Sequence, residues 1–286
     1  SDRDTPLDWT GLAIGSVGTL SLLNGLVSLR SGPAWEAGAL LALAAAAFAG
    51  FALWLRWLPR KGRPPLMNLA LFGYRPFAMG ALVALIYGTA LFGSTYLLPV
   101  YMQMALGLSA AHVGTILLPS GLVLAGAIAV VARMADRMPA NRLVNVGLAL
   151  LALSFAGMVT VGLGSSVWLL MGWTVVGRIG LGFILPSLNL GAMRGLDKPL
   201  VPQASSVINF VRMLGGAAGV SLCGIALEWR LAAHGDSLTR AHLSPERIAA
   251  FNEVFLMLAA LCALAMLAAR HLRPTVRLES GQIEDR

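Results

Sequence analysis

The sequence predicts an all-α polytopic membrane protein with eight transmembrane helices, and three observations carry that reading. Of 286 residues, 57% are hydrophobic and only 12% are charged, well below the roughly 25% charged residues of a soluble domain. The apolar residues gather into eight long runs, and about 20 such residues are needed to cross ~30 Å of hydrocarbon. No run alternates polar and apolar residues as a barrel strand does. Backbone groups in lipid must bond within their own segment, so each run is expected to be a helix.

The first two runs, residues 10–29 and 37–55, form a leading pair. Residues 56–76, RWLPRKGRPPLMNLALFGYRP, break the pattern: the stretch is basic and proline-rich, and its apolar patch at 66–72 is too short to span. Pro64 and Pro65 disfavour helix for themselves and for their predecessors. The expected organisation is therefore two helices in 1–58, a basic linker with an interfacial segment in 59–76, a six-helix unit in 77–270 and a tail in 271–286. The six later spans are read at 77–103, 110–132, 143–163, 167–193, 203–227 and 248–269. Small residues and prolines inside them, among them Pro99, Pro119, Gly215, Gly216 and Gly219, are read as sites of close helix packing or bending.

The net charge of +8 reflects topology, with no nucleic-acid partner implied. Counting outward from the spans, 15 of the 21 basic residues fall on one side: Arg3, the 56–75 connection, Arg133, Arg137, Arg142, Arg194, Lys198 and the C-terminal tail. Arg30, Arg230, Arg240 and Arg247 fall on the other. The positive-inside rule then places both termini in the cytoplasm. The start, SDRDTPLDW, lacks an initiator methionine and a signal sequence, as expected of a processed chain or a piece of something longer. Cys223 and Cys262 lie inside spans as small hydrophobes. His234 and His242 lack metal-ligand context. No catalytic set, metal motif or cofactor motif is recognisable, so an enzyme is not expected.

Two arginines stand deep in the spans. Arg212 lies ten residues beyond Pro202, or ~15 Å along a helix, and Arg178 lies twelve residues into its own span. A charge near the bilayer centre costs from ~2.5 to more than ~10 kcal/mol and normally faces a cavity or a partner. Helical spacing places Ser205, Asn209, Arg212, Gly216 and Gly219 on one stripe and Thr174, Arg178 and Asn189 on another. The short connection between these spans predicts antiparallel neighbours. Arg178, Asn189, Asn209 and Arg212 are thus candidates for a central polar network. The only span carboxylate is Glu253, near the far end of the last run. Bracing of helices by the arginines and a direct role at a cavity both remain open.

The turn ARMADRMPANRL, residues 132–143, sets Asp136 among arginines between two spans. A carboxylate there can bind a helix N-terminus or pair with an arginine, contacts suited to a conformational latch. Tyr87, Thr95, Tyr96 and Gln103 cluster on or near the third span and are candidates for lining a cavity for hydrophobic small molecules.

The 132–143 turn resembles the GxxxDRxGRR-like turn of the major facilitator superfamily. Asp136, Arg137 and Arg142 match it, while Ala132, Pro139 and Asn141 depart from it. The ordered run PPLMNLALFGYRPF, LLPVYMQMALGLSAAHVGTILLP, the ADR turn, VGRIGLGFILP and NFVRMLGGAAGVSL resembles the C-terminal portion of the fourteen-helix drug/proton antiporter branch. The resemblance implies two extra helices followed by a six-helix major-facilitator C-terminal bundle. It further implies an N-terminal six-helix bundle as partner, carrying most proton-titrating carboxylates, and the lipid bilayer, protons and hydrophobic small-molecule substrates as the other partners. Asp136, Arg137 and Arg142 would form a cytoplasmic latch in alternating access. Export of lipids, fatty acids or siderophores, or an inactive fragment acting as an assembly partner, are the alternatives.

Overall fold

The computed structural model describes residues 8–59, 67–240 and 242–272. Arg3, Arg60, Lys61, Arg63, Pro64, Pro65, Arg273, Arg277 and Arg286 lie outside the described residues. Eight helices among them are long and apolar enough to cross a membrane, and no strand occurs. They are α1 (Trp9–Ser31), α2 (Ala34–Trp57), α3 (Arg75–Val100), α4 (Ala110–Met134), α5 (Ala140–Gly157), α6 (Val167–Met193), α7 (Val201–Ala233) and α8 (Pro245–Ala269).

Local chemistry sets the helix ends. The Asp8 side chain accepts the Gly11 N–H at 2.8 Å, and Ser109, Ser166 and Ser244 cap α4, α6 and α8 in the same way. Pro76, Pro202 and Pro245 occupy first turns, where a missing N–H removes no helix bond. Three boundaries differ from the hydropathy reading. The third span ends its α-helix at Val100 and continues as a π-helical turn, Tyr101–Ala105. The fifth ends at Gly157 and tightens into a 3-10 turn, Met158–Thr160. The seventh runs on to Ala233, because its amphipathic last turns are paired with neighbours rather than immersed in lipid.

The connections α2–α3, α4–α5 and α6–α7 share one end of the molecule, here called the basic end. At its centre α3 touches α7, α6 and α8, and α5 lies between α6 and α8. The fourth helix rests on α6, and the leading pair sits on the outside of α7 through α1. Lipid supplies no hydrophobic drive for helices to associate, so close packing of small residues must do so. The α3–α7 seam shows this: a Cβ on Gly88 would collide with the Arg212 carbonyl, one on Gly215 with the Leu85 carbonyl, and one on Gly219 would stand 2.6 Å from Thr89 Cα. Thr89 Oγ1 donates across the seam to the Gly215 carbonyl at 3.0 Å. The matches climb from Leu85–Gly215 through Thr89–Gly219 to Gly93–Cys223, so α3 and α7 are parallel.

Each end of the bundle is pinned by a tyrosine. At the basic end the Tyr74 hydroxyl donates to the Arg194 carbonyl at 2.8 Å. At the opposite end the Tyr101 hydroxyl donates to the Val161 carbonyl at 2.9 Å, while its ring meets Phe251 and Phe255 at 5.3 Å centroid separations. Leu118 and Leu122 on α4 are 69% and 70% exposed, an apolar face that no other described helix covers.

Candidate transport site

The two deep arginines do not face each other across an α6–α7 interface as the short connection suggested. The structure inserts α3 between those helices. Residues 194–200, with Gly195 in the left-handed region at φ 92° and a 3-10 turn at Lys198–Leu200, let the chain cross the basic end. The helix that follows then finds the glycine-bearing face of α3. Because α3 occupies the middle, its Tyr87, only 2% exposed, lies within electrostatic reach of both Arg178 and Arg212.

Both arginines are half-buried. The Arg212 guanidinium donates to Asn209 Oδ1 at 2.6 Å, one turn back on α7. Arg178 borders a small cavity between α3, α5 and α6, lined also by Ser94, Ser154 and Thr174. Its volume, about 10 Å³, is at the threshold for a single water. Among the described residues no carboxylate forms an ion pair with either arginine. Two cations and a phenol therefore stand together at mid-bundle without neutralisation.

The other sequence candidates distribute differently. Asn189 is exposed on α6, and its eleven-residue separation from Arg178 is ~16 Å of helix. The shared face is real, but the distance keeps it out of the arginine cluster. Tyr87 and Tyr96 are nine residues apart, which at 3.6 residues per turn sets them on opposite faces of α3. Thr95 is exposed with its hydroxyl donating to the Leu91 carbonyl at 2.7 Å. Gln103 is exposed and lies in the π-helical turn beside a pocket of about 330 Å³ at the opposite end. These four side chains do not line one cavity. In the 132–143 turn Asp136, Arg137 and Arg142 are all exposed, and among the described residues Asp136 forms no ion pair.

One constellation escaped the sequence reading. Arg247 and Asp236 form an ion pair at 2.9 Å with side chains only 3% and 4% exposed. Arg247 also donates to the carbonyls of Met104, Ser237 and Arg240 at 3.0, 2.8 and 2.9 Å. The pair thereby ties the α7–α8 connection, the start of α8 and the π-helical end of α3 together. Hydrogen bonds from Arg247 hold the Asp236 carboxyl down at about 2, against the upward push of burial, with the Ser237 N–H assisting. Nearby, Glu253 bridges Arg230 and His234, the latter at 3.0 Å, and Arg30 of α1 pairs with Glu228 of α7 at 2.9 Å. The available signal was the presence of acids at this end, Glu228, Asp236 and Glu253, opposite its arginines.

A family model described as Major Facilitator Superfamily matches residues 10–220. The chain belongs to that family, whose members are multi-pass membrane transporters and not enzymes. Similar proteins include the Colistin resistance protein EmrB of Acinetobacter baumannii, 26% identical over 62% of this chain and 35% of that protein. The Methylenomycin A resistance protein of Streptomyces coelicolor is 30% identical over 57% of this chain and 34% of its own length. The Multidrug transporter protein MdtP of Bacillus subtilis is 24% identical over 78% of this chain and 41% of its own. The chain thus spans between about a third and two-fifths of the length of these relatives.

Proposed function

We propose that this chain is the C-terminal portion of a proton-coupled multidrug efflux transporter working by alternating access in a bacterial inner membrane, both termini cytoplasmic. The observation that carries the reading is the similarity, over most of the described helices, to drug- and antibiotic-resistance proteins of one transporter family. In this reading α1 and α2 are the two extra helices and α3 to α8 form one wall of the transport cavity. The other wall is a six-helix N-terminal bundle.

Physical support comes from the mid-bundle arginines. A half-buried cation without a carboxylate is expensive in hydrocarbon. The expense is reduced if Arg178 and Arg212 border a wet cavity shared with a second bundle, where a hydrophobic substrate, water or a carboxylate alternates as partner. Asp136, Arg137 and Arg142, exposed at the basic end, are free to form a latch with that bundle in one state and release it in the other. Coupling to protons requires titratable carboxylates, and those near the far ends of α7 and α8, Glu228 and Glu253, are already engaged, by Arg30 and by Arg230 and His234. The proton-carrying groups are therefore assigned to the partner bundle.

Drug accumulation in a sensitive bacterium expressing the complete transporter tests the reading. Export of a hydrophobic dye that stops on collapse of the proton gradient supports it; drug accumulation equal to that of empty cells overturns it. A second reading, export of anionic amphiphiles such as fatty acids or siderophores, is favoured by the positive sign of both central charges. Preferential export of a carboxylated dye over its ester would select it.

A further inference from the structure

A groove of about 470 Å³ runs along the seam between the leading helix pair and α7. Its walls are Leu12, Gly15 and Leu20 of α1, Phe51 of α2, and Val207 and Phe210 of α7, with Met67 at its mouth. No charged side chain lines it. The hydroxyls of Thr19 and Ser206 are spent on their own helices, donating to the carbonyls of Gly15 and Pro202 at 2.9 and 3.0 Å. Apart from one further hydroxyl, that of Ser16, the rest of the lining is hydrocarbon.

The dimensions select an occupant. From Gly11 to Leu20 the groove follows nine residues of α1, ~13 Å at 1.5 Å per residue, close to the depth of one leaflet of a ~30 Å core. Its mouth coincides with a polar and aromatic belt: Asp8 accepts the Trp54 indole N–H at 3.0 Å, and the Trp54 and Trp57 rings lie 5.2 Å apart. Tryptophans gather at the membrane–water interface, so the groove begins at headgroup level and ends near the midplane. Leu20 and Phe210, 60% and 43% exposed, leave it open to the side. A compact charged drug would find no counter-charge in it, and a second copy of the chain would meet a slot, not a complementary face.

We propose that the groove holds one acyl chain of a phospholipid from the leaflet at the basic end, seating the leading pair on α7. This holds whether or not the chain exports drugs, since it requires only that the helices span a membrane. A lipid in this position would fill the space that keeps α1 and α2 from touching α7 more extensively.

The test uses the chain reconstituted in phosphatidylethanolamine–phosphatidylglycerol vesicles containing a trace of phospholipid with a mid-chain diazirine. After irradiation, adducts are mapped by mass spectrometry. The expected result is labelling of residues 11–20, 48–51 and 207–210 about fivefold above the lipid-facing Leu118 and Leu122, a preference of about 1 kcal/mol. Ser206→Trp, which fills the slot from α7, should abolish that excess while leaving other labelling intact. Should it fold poorly, Gly15→Leu fills the slot from α1, where an added Cβ meets the Phe51 ring at an ordinary 3.5 Å. Even labelling over all lipid-facing helices would overturn the proposal. So would loss of groove labelling on adding tetraphenylphosphonium, which would mark a substrate path, or efficient disulfide cross-linking between copies carrying Ser206→Cys, which would mark an interface.

Discussion

Arg247 and Arg212 are the same residue under opposite terms. The first is almost fully buried, yet all three nitrogens of its guanidinium donate, to two Asp236 oxygens and to three carbonyls from two segments. Arg212 is half-buried, deeper along its span, and bonded only one turn back to Asn209, with Arg178 near the same buried tyrosine. A fully satisfied buried charge fixes a geometry, and one left incompletely satisfied retains capacity for another partner. The opposite end of the bundle is built to stay closed within itself. The middle, in the function proposed, is the part left to meet a second bundle.

Substitutions separate the two roles, beginning with the largest expected effect on stability. Arg247→Leu leaves Asp236 charged and buried without a partner, and removing one member of such a pair costs about 3–5 kcal/mol. The thermal unfolding midpoint in detergent should fall sharply, and Asp236→Asn combined with Arg247→Leu should recover part of the loss. Next comes Gly88→Ala, whose added methyl meets a backbone carbonyl that no rotamer change can move. It should destabilise by about 1–3 kcal/mol, as overpacking does, and lower the yield of monodisperse protein.

Acid probes the closed end without mutation. The Asp236 carboxyl titrates at about 2 in the folded chain, below its ordinary 3.8. The pair's contribution should therefore be constant above pH ~4 and be lost as pH falls from ~4 toward ~2, the range between the unfolded and folded values. In Asp236→Asn this acid-labile component should disappear from the unfolding profile. A smaller effect is expected at the α1–α7 pair, where both side chains are about two-fifths exposed. Glu228→Gln should change stability by less than ~1 kcal/mol, and high salt should mask it.

The two regions were also unequally legible in the sequence. All eight helices followed from hydropathy and length, because the bilayer imposes one dominant constraint on a spanning segment. The deep arginines were visible for the same reason, a charge inside an apolar run. Their neighbourhood was not, since the path that inserts α3 between α6 and α7 depends on glycines of α3 matching those of α7, a pairing that no single helix pattern displays. Of the four aromatic and polar candidates, Tyr87 and Tyr96 are separated by helical phase along α3, and Gln103 by its place in the π-helical turn beyond it. Arg247 was overlooked because it sits at the first turn of α8, where an arginine reads as an ordinary surface charge, and its acid lies eleven residues earlier in the connection.

Replacement of Arg212 completes the series, with the smallest expected effect on stability and the most direct bearing on function. Its partial exposure and single short-range partner imply a change within about 0.5 kcal/mol, as for other loosely engaged side chains. The decisive measurement is dye export by the complete transporter carrying Arg212→Ala, normalised to the amount of folded protein in the membrane. A loss of about tenfold or more in normalised export, equivalent to ~1.4 kcal/mol or more in a transport barrier, with folded protein unchanged and partial recovery in Arg212→Lys, is the expected result. Export that declines only in proportion to the folded protein would instead make Arg212 a brace between helices.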